Sequence, residues 1–205
     1  MNKEISGVEI RSFSAPSVDM REILRYAGGG DAAFAGECLE EAAGVLTYKV
    51  CFAEVPVSVN GDIVDLSFAR AHSRSLAKNL DGCNRAVIFA ATVGVGIDRL
   101  IARYGRLSPS RALYLQAIGS ERAEALCDAF EEEIRNEMEA RGKGIAPVFR
   151  PRFSPGYGDL SLELQRDIFA LLDCPRRIGV SLGDSLLMTP SKSVTAIMGI
   201  VADDK

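Results

Sequence analysis

Apolar positions along the chain repeat every three to four residues in some stretches and alternate or run uninterrupted in others, and each switch between the two marks an element boundary. Residues 20–27 have helical spacing and stop at Gly28-Gly29-Gly30, a run that cannot sustain a helix. Asp31 is placed to cap a second helix reaching about residue 45. Residues 48–59 and 62–68 read as strands rich in Val, Ile and Phe, and the Asn60-Gly61 between them predicts a hairpin. Residues 73–80 form a short helix before Asp81-Gly82, and residues 85–92 are a mostly apolar run expected of a strand covered on both faces. Ser108-Pro109 is a helix start, Ser as cap and Pro at the first helical position, where its missing N–H costs nothing. From there Leu115, Ile118, Leu126, Phe130, Ile134 and Met138 recur at helical spacing until Gly142, giving the longest helix.

Residues 150–159 contain Pro151, Pro155, Gly156 and Gly158 and are expected to be an irregular loop. Ser161 opens an amphipathic helix to about residue 172, and residues 178–182 and 193–201 close the chain as β-branched strands. Strands toward both ends with helices between them imply an α+β fold with a largely antiparallel sheet. No repeat, linker or low-complexity run divides the sequence, so residues 1–205 are read as one domain, with residues 1–19 a poorly defined N-terminal segment.

Composition narrows the chemistry. The 205 residues carry 24 Lys+Arg against 28 Asp+Glu, a net charge of −4, without the basic block that nucleic acid or an anionic membrane would require. The hydrophobic fraction of 47% with 25% charged residues is that of an ordinary globular chain and excludes disorder throughout. Residues 1–14 lack the pattern of a signal peptide and no apolar stretch approaches membrane-spanning length, so a cytoplasmic protein is expected. Five scattered cysteines with one histidine, His72, offer no metal-ligand spacing, and each cysteine is read as a small apolar residue. No Ser-His-Asp arrangement can be assembled around His72, which stands between Arg70 and Arg74 as a surface or capping residue, and no catalytic residue is assigned.

Thr92 to Arg99 follows a strand and precedes a helix as a phosphate-binding turn would, but Arg99 stands where a dinucleotide fingerprint needs its third glycine. Gly94 and Gly96 are then turn glycines. Glu121, Glu124 and Asp128, spaced by three and four, line one side of the long helix. Such a stripe is either solvated surface, with Arg122 and Arg135 as charge partners, or a face turned to a cationic ligand. Its counterpart is the loop Arg152-Phe153-Ser154-Pro155-Gly156-Tyr157, where two prolines stiffen the chain, Gly156 permits positive φ, and a guanidinium and a phenol stand five residues apart. Backbone groups in this loop are expected to be free for a heterocycle or a carboxylate.

That loop, the helix ending Ile168-Phe169-Ala170-Leu171-Leu172-Asp173, the runs 178–182 and 184–194, Phe89 to Leu100 and Gly119 to Cys127 together resemble the reactivation (AdoMet-binding) domain of cobalamin-dependent methionine synthase, in its free-standing form. The resemblance spans roughly residues 20 to 200 and implies a helmet-like α+β domain. In that family the domain binds S-adenosylmethionine and caps the cobalamin-bearing domain or subunit. An electron from a flavodoxin-like donor and a methyl group from S-adenosylmethionine there return oxidised cob(II)alamin to methylcobalamin.

The family's R-x-x-x-G-Y motif falls on Arg152, Gly156 and Tyr157. The resemblance implies that Arg152 binds the methionine carboxylate, that Tyr157 contacts the nucleoside, that the loop backbone receives adenine, and that Glu124, then Asp128, faces the cationic groups. Gly158-Asp159-Leu160-Ser161-Leu162 follows the tyrosine where the large synthase has a His-containing segment, and no counterpart is evident to that enzyme's N-terminal aspartate contact. The alternative reading is a non-catalytic module of the same fold that docks on a corrinoid protein and has lost S-adenosylmethionine binding.

Overall fold

In the computed structural model, which describes residues 5–141 and 148–201, four antiparallel strands form the central sheet in the order β1 (Glu9–Ser12), β2 (Lys49–Pro56), β6 (Cys83–Thr92), β9 (Ser193–Val201). β6 lies between its two longest partners, as its apolar run predicts. Its register places Phe89 opposite Phe52 and Ala196. Alternate residues of β6 serve two cores. Val87, Phe89 and Ala91 face α1 (Met20–Tyr26), α2 (Ala32–Ala43), α4 (Gly96–Leu107) and α5 (Pro109–Arg141), whereas Ala86, Ile88 and Ala90 face α3 (Arg74–Asn79), α6 (Leu164–Leu172) and α7 (Cys174–Ile178).

The first core is anchored by Phe130 of α5, whose ring lies 5.0 Å from that of Phe52 and 4.9 Å from that of Phe89. Full burial of a side chain of this size contributes about 1.5–3 kcal/mol, so α5 is held to the sheet along much of its length. Asp31 accepts from the Ala33 N–H at the start of α2, as the sequence predicts, and Ser73, read only as the first residue of a short helix, accepts from the Leu76 N–H at the start of α3.

Several boundaries differ. The strand expected over 48–59 breaks at Val57, and β3 (Ser58–Asn60), β4 (Ile63–Asp65) and β5 (Arg70–His72) form a separate antiparallel sheet. The hairpin exists one residue later than read. Asn60 pairs with Ile63, so Gly61-Asp62 is the two-residue loop and Gly61 takes the positive φ of +64°. Residues 178–182 are not one strand. Pro175 sits in the first turn of the short α7, which ends with Gly179 at φ +73°, leaving Ser181–Leu182 as β7 paired with β8 (Met188–Thr189). The N-terminal segment, read as poorly defined, contributes β1 to the sheet edge. The expected helix stop at Gly142 lies outside the described residues.

Four of the five cysteines are buried, Cys83 is half-buried, and all five thiols are free. His72 is exposed on β5. Gly94 and Gly96 serve packing: a Cβ at Gly94 would lie 2.3 Å from Oγ1 of Thr47, and one at Gly96 would lie 2.3 Å from the carbonyl oxygen of Val45. No described helix is long and apolar enough to cross a membrane.

Candidate functional site

α5 buries Leu126, Phe130 and Ile134 against the sheet, which turns its remaining faces outward at two levels of exposure. Glu121 does not belong to a solvated stripe. It is only 4% exposed, pairs with the equally buried Arg122, and accepts a hydrogen bond from the Asp19 N–H at 2.9 Å. Arg122 donates to the carbonyls of Pro16 and Ser17, both at 2.7 Å. The pair therefore straps residues 16–19 to α5. Between that strap, α1 and α5 lies a groove of about 570 Å³ lined by Asp19, Glu22, Tyr26, Glu121, Glu124, Asp128 and Glu132 among others. Its volume falls within the range of small-molecule sites.

Glu124 and Asp128, one turn apart, form the border of this groove, and on them rests the guanidinium of Arg152. Nη1 of Arg152 lies 2.7 Å from Oδ1 of Asp128 and 3.4 Å from Oε2 of Glu131, and Nη2 lies 3.3 Å from Oε2 of Glu124. Burial works against the charged form of Arg152, and the hydrogen bond to Asp128 with the surrounding charge outweighs it, raising its pKa. The structure brings Arg152 together with Glu124 and Asp128, the residues the sequence grouped as a ligand site, but three carboxylates already occupy the guanidinium that was expected to take a ligand carboxylate. The acids are spread along a helix beside a loop whose position only tertiary packing decides. Their side chains are exposed by 51% for Glu124 and 71% for Asp128, and ion pairs with partners so open are worth ~0–1 kcal/mol. An incoming ligand can exchange with them.

Residues 149–153 run beside β9, with Phe149 bridged to Ile200 and Phe153 to Ile197. Most loop amides are consequently not free, in contrast to the expectation. Phe153 N–H donates to Ile197, Gly156 N–H to Leu160 and Tyr157 N–H to Ser154. Gly156 takes the positive φ expected of it, +90°, and Tyr157 stands 69% exposed on the turn, outside the groove lining.

Two contributors escaped sequence reasoning. Asp159 accepts from the Ser73 hydroxyl and from the N–H groups of Arg74, at 2.9 Å, and Ser75, at 3.1 Å, tying the end of the loop to the first turn of α3. Asp19 caps α1 through its side chain, and lines the groove. The Asp-x-x-x of a helix start was readable, but not its approach to Glu121, 102 residues away.

A four-stranded antiparallel sheet clothed in helices, with an acidic groove beside an arginine-bearing turn, makes this an α+β domain with a groove of small-molecule size. Residues 75–202 match the model of the vitamin B12 dependent methionine synthase activation domain, and the chain belongs to that family. Among solved structures it is similar to the MetH reactivation domain bound to AdoHcy, with a TM-score of 0.65 and 16% identity over 97% of this chain and 80% of that one. No curated protein sequence matches it.

Proposed function

We propose that this chain binds S-adenosylmethionine at the acidic groove and the Arg152 turn, and presents it to a cobalamin-bearing domain or subunit of methionine synthase, or a related corrinoid protein, for reductive remethylation. The observation that carries the reading is that Arg152, itself outside the lining, pairs with Glu124 and Asp128, two carboxylates of a groove whose charged lining residues are all acidic. S-adenosylmethionine supplies a methyl group on a sulfonium and brings an ammonium and a carboxylate beside it. Glu124 and Asp128 suit the cationic groups and Arg152 the carboxylate. Asp19, on the strap, adds a third anionic contact where the sequence suggested none. The chain's task is placement: exchange of one set of ion pairs for another orients the donor, and the strap and turn shield it from water. No general base is needed. Tyr157 and Gly156 stand on the turn beside Arg152, where the nucleoside end would lie.

The alternative, a docking module without the ligand, is favoured by the saturation of Arg152 and the outward position of Tyr157. Titration calorimetry separates the two. The proposal expects heat with S-adenosylmethionine and its loss in Arg152→Ala. No heat, or identical binding by the variant, removes it. With a corrinoid partner and a low-potential electron source such as reduced flavodoxin, absorbance should report conversion of cob(II)alamin to methylcobalamin only when both this protein and S-adenosylmethionine are present.

A further inference from the structure

Arg152 alone does not provide the positive field that a carboxylate needs. Its single charge faces Glu124, Asp128 and Glu131, so the cluster as a whole is negative and draws an ammonium or sulfonium more readily than an anion. One helical turn toward the start of α5 there is a second cation. Lys192, the residue before β9, sends its side chain across Gly119, and its Nζ donates to Oγ of Ser120 at 3.0 Å. Ser120 commits its own proton to the carbonyl of Gln116 at 3.1 Å. Lys192 therefore meets a neutral acceptor and forms no ion pair among the described residues. Asp98, whose charge it feels, is held by the N–H and hydroxyl of Ser191, both at 2.7 Å.

The route of this side chain is built into the fold. A Cβ at position 119 would lie 2.9 Å from Cγ and 3.1 Å from Cδ and Cε of Lys192, so a glycine there leaves the lane open. The Lys192 carbonyl accepts from the Val93 N–H at 3.1 Å, which fixes its backbone. Burial disfavours the charged ammonium and lowers its pKa. A half-buried cation without a carboxylate beside it contributes little to folding, and its remaining N–H bonds are available to a ligand.

We infer that Lys192 is a second ligand-binding cation, taking the carboxylate of S-adenosylmethionine together with Arg152 while Glu124 and Asp128 take the ammonium; this rests on the binding reading above. Calorimetry with S-adenosylmethionine and with decarboxylated S-adenosylmethionine, which keeps the sulfonium and the ammonium, tests it. Lys192→Met should weaken S-adenosylmethionine by about tenfold or more, the size of one charge-assisted hydrogen bond, and leave the decarboxylated ligand unchanged. Gly119→Ala, which obstructs the lysine without removing its charge, should weaken S-adenosylmethionine in the same direction. Thermal melting reports whether either variant is folded. Equal binding of S-adenosylmethionine by wild type and Lys192→Met overturns the role of Lys192 and leaves the binding reading standing. Equal weakening of both ligands in Lys192→Met marks a structural role only and also overturns it. A wild type that binds neither ligand overturns both.

Discussion

Asp159 joins the candidate turn to the rest of the molecule through one carboxylate. It receives the Ser73 hydroxyl, which also caps α3, and two backbone N–H groups of that helix's first turn. The Ser73 hydrogen bond foremost, with the Ser75 and Arg74 amides, holds its pKa well below the usual carboxylate range. A depressed folded-state pKa contributes stability above the unfolded value of ~3.9 and loses it as pH falls toward the folded value. Asp159→Asn should therefore be less stable than wild type by a constant amount above about pH 5, with the gap closing below about pH 4. Melting temperatures of both proteins across this range check the sign. A gap that persists unchanged at low pH would mean that shape, not charge, supplies the tie. Asp159 was visible only as part of an irregular loop, because its partners lie 84–86 residues earlier and no local pattern announces them.

At the level of elements, α5 shows how far periodicity reaches. Its proline start and its core positions at Leu126, Phe130 and Ile134 follow from spacing alone, as does the cap at Asp31. Spacing also groups Glu121 with Glu124 and Asp128, yet the first is buried under the strap and the others are open, since which side of the helix receives residues 16–19 is a tertiary fact. β1 was missed for the same reason. Its four residues are largely exposed, so no apolar alternation marks them, and pairing with β2 alone makes them a strand. The strap makes α5 responsible for one wall of the groove as well as for the core. Arg122→Met would leave Glu121 charged and buried without its partner, a change that costs about 3–5 kcal/mol, and would release the Pro16 and Ser17 carbonyls. Denaturant unfolding should show that loss, with weaker S-adenosylmethionine binding in the protein that remains folded. A cost within the range of a surface substitution, about 0.5 kcal/mol or less, would show that the strap is held by other contacts.

For the molecule as a whole, charge and stability become linked through the ligand. The chain carries a net charge of −4 and concentrates Asp19, Glu22, Glu124, Asp128 and Glu132 around one groove, where S-adenosylmethionine, with two positive groups and one carboxylate, would arrive as a net cation. Binding to the native state alone raises stability by about 2.7 kcal/mol at a hundredfold excess over Kd, which in a chain of this size corresponds to a melting shift of roughly 5–10 °C. Attraction between an exposed groove and a cation is screened as the Debye length shortens from ~30 Å at 0.01 M to ~8 Å at 0.15 M ionic strength. The melting shift at fixed ligand concentration should therefore shrink over that range. S-adenosylhomocysteine, the neutral thioether counterpart, lacks the sulfonium charge and should show a smaller salt dependence for the same contacts. The buried Glu121–Arg122 pair is shielded from ions, so salt should change the unliganded melting temperature less than it changes the shift. Equal salt dependence for the two ligands would place the sulfonium away from the acidic lining, and the groove would then serve the amino-acid end alone.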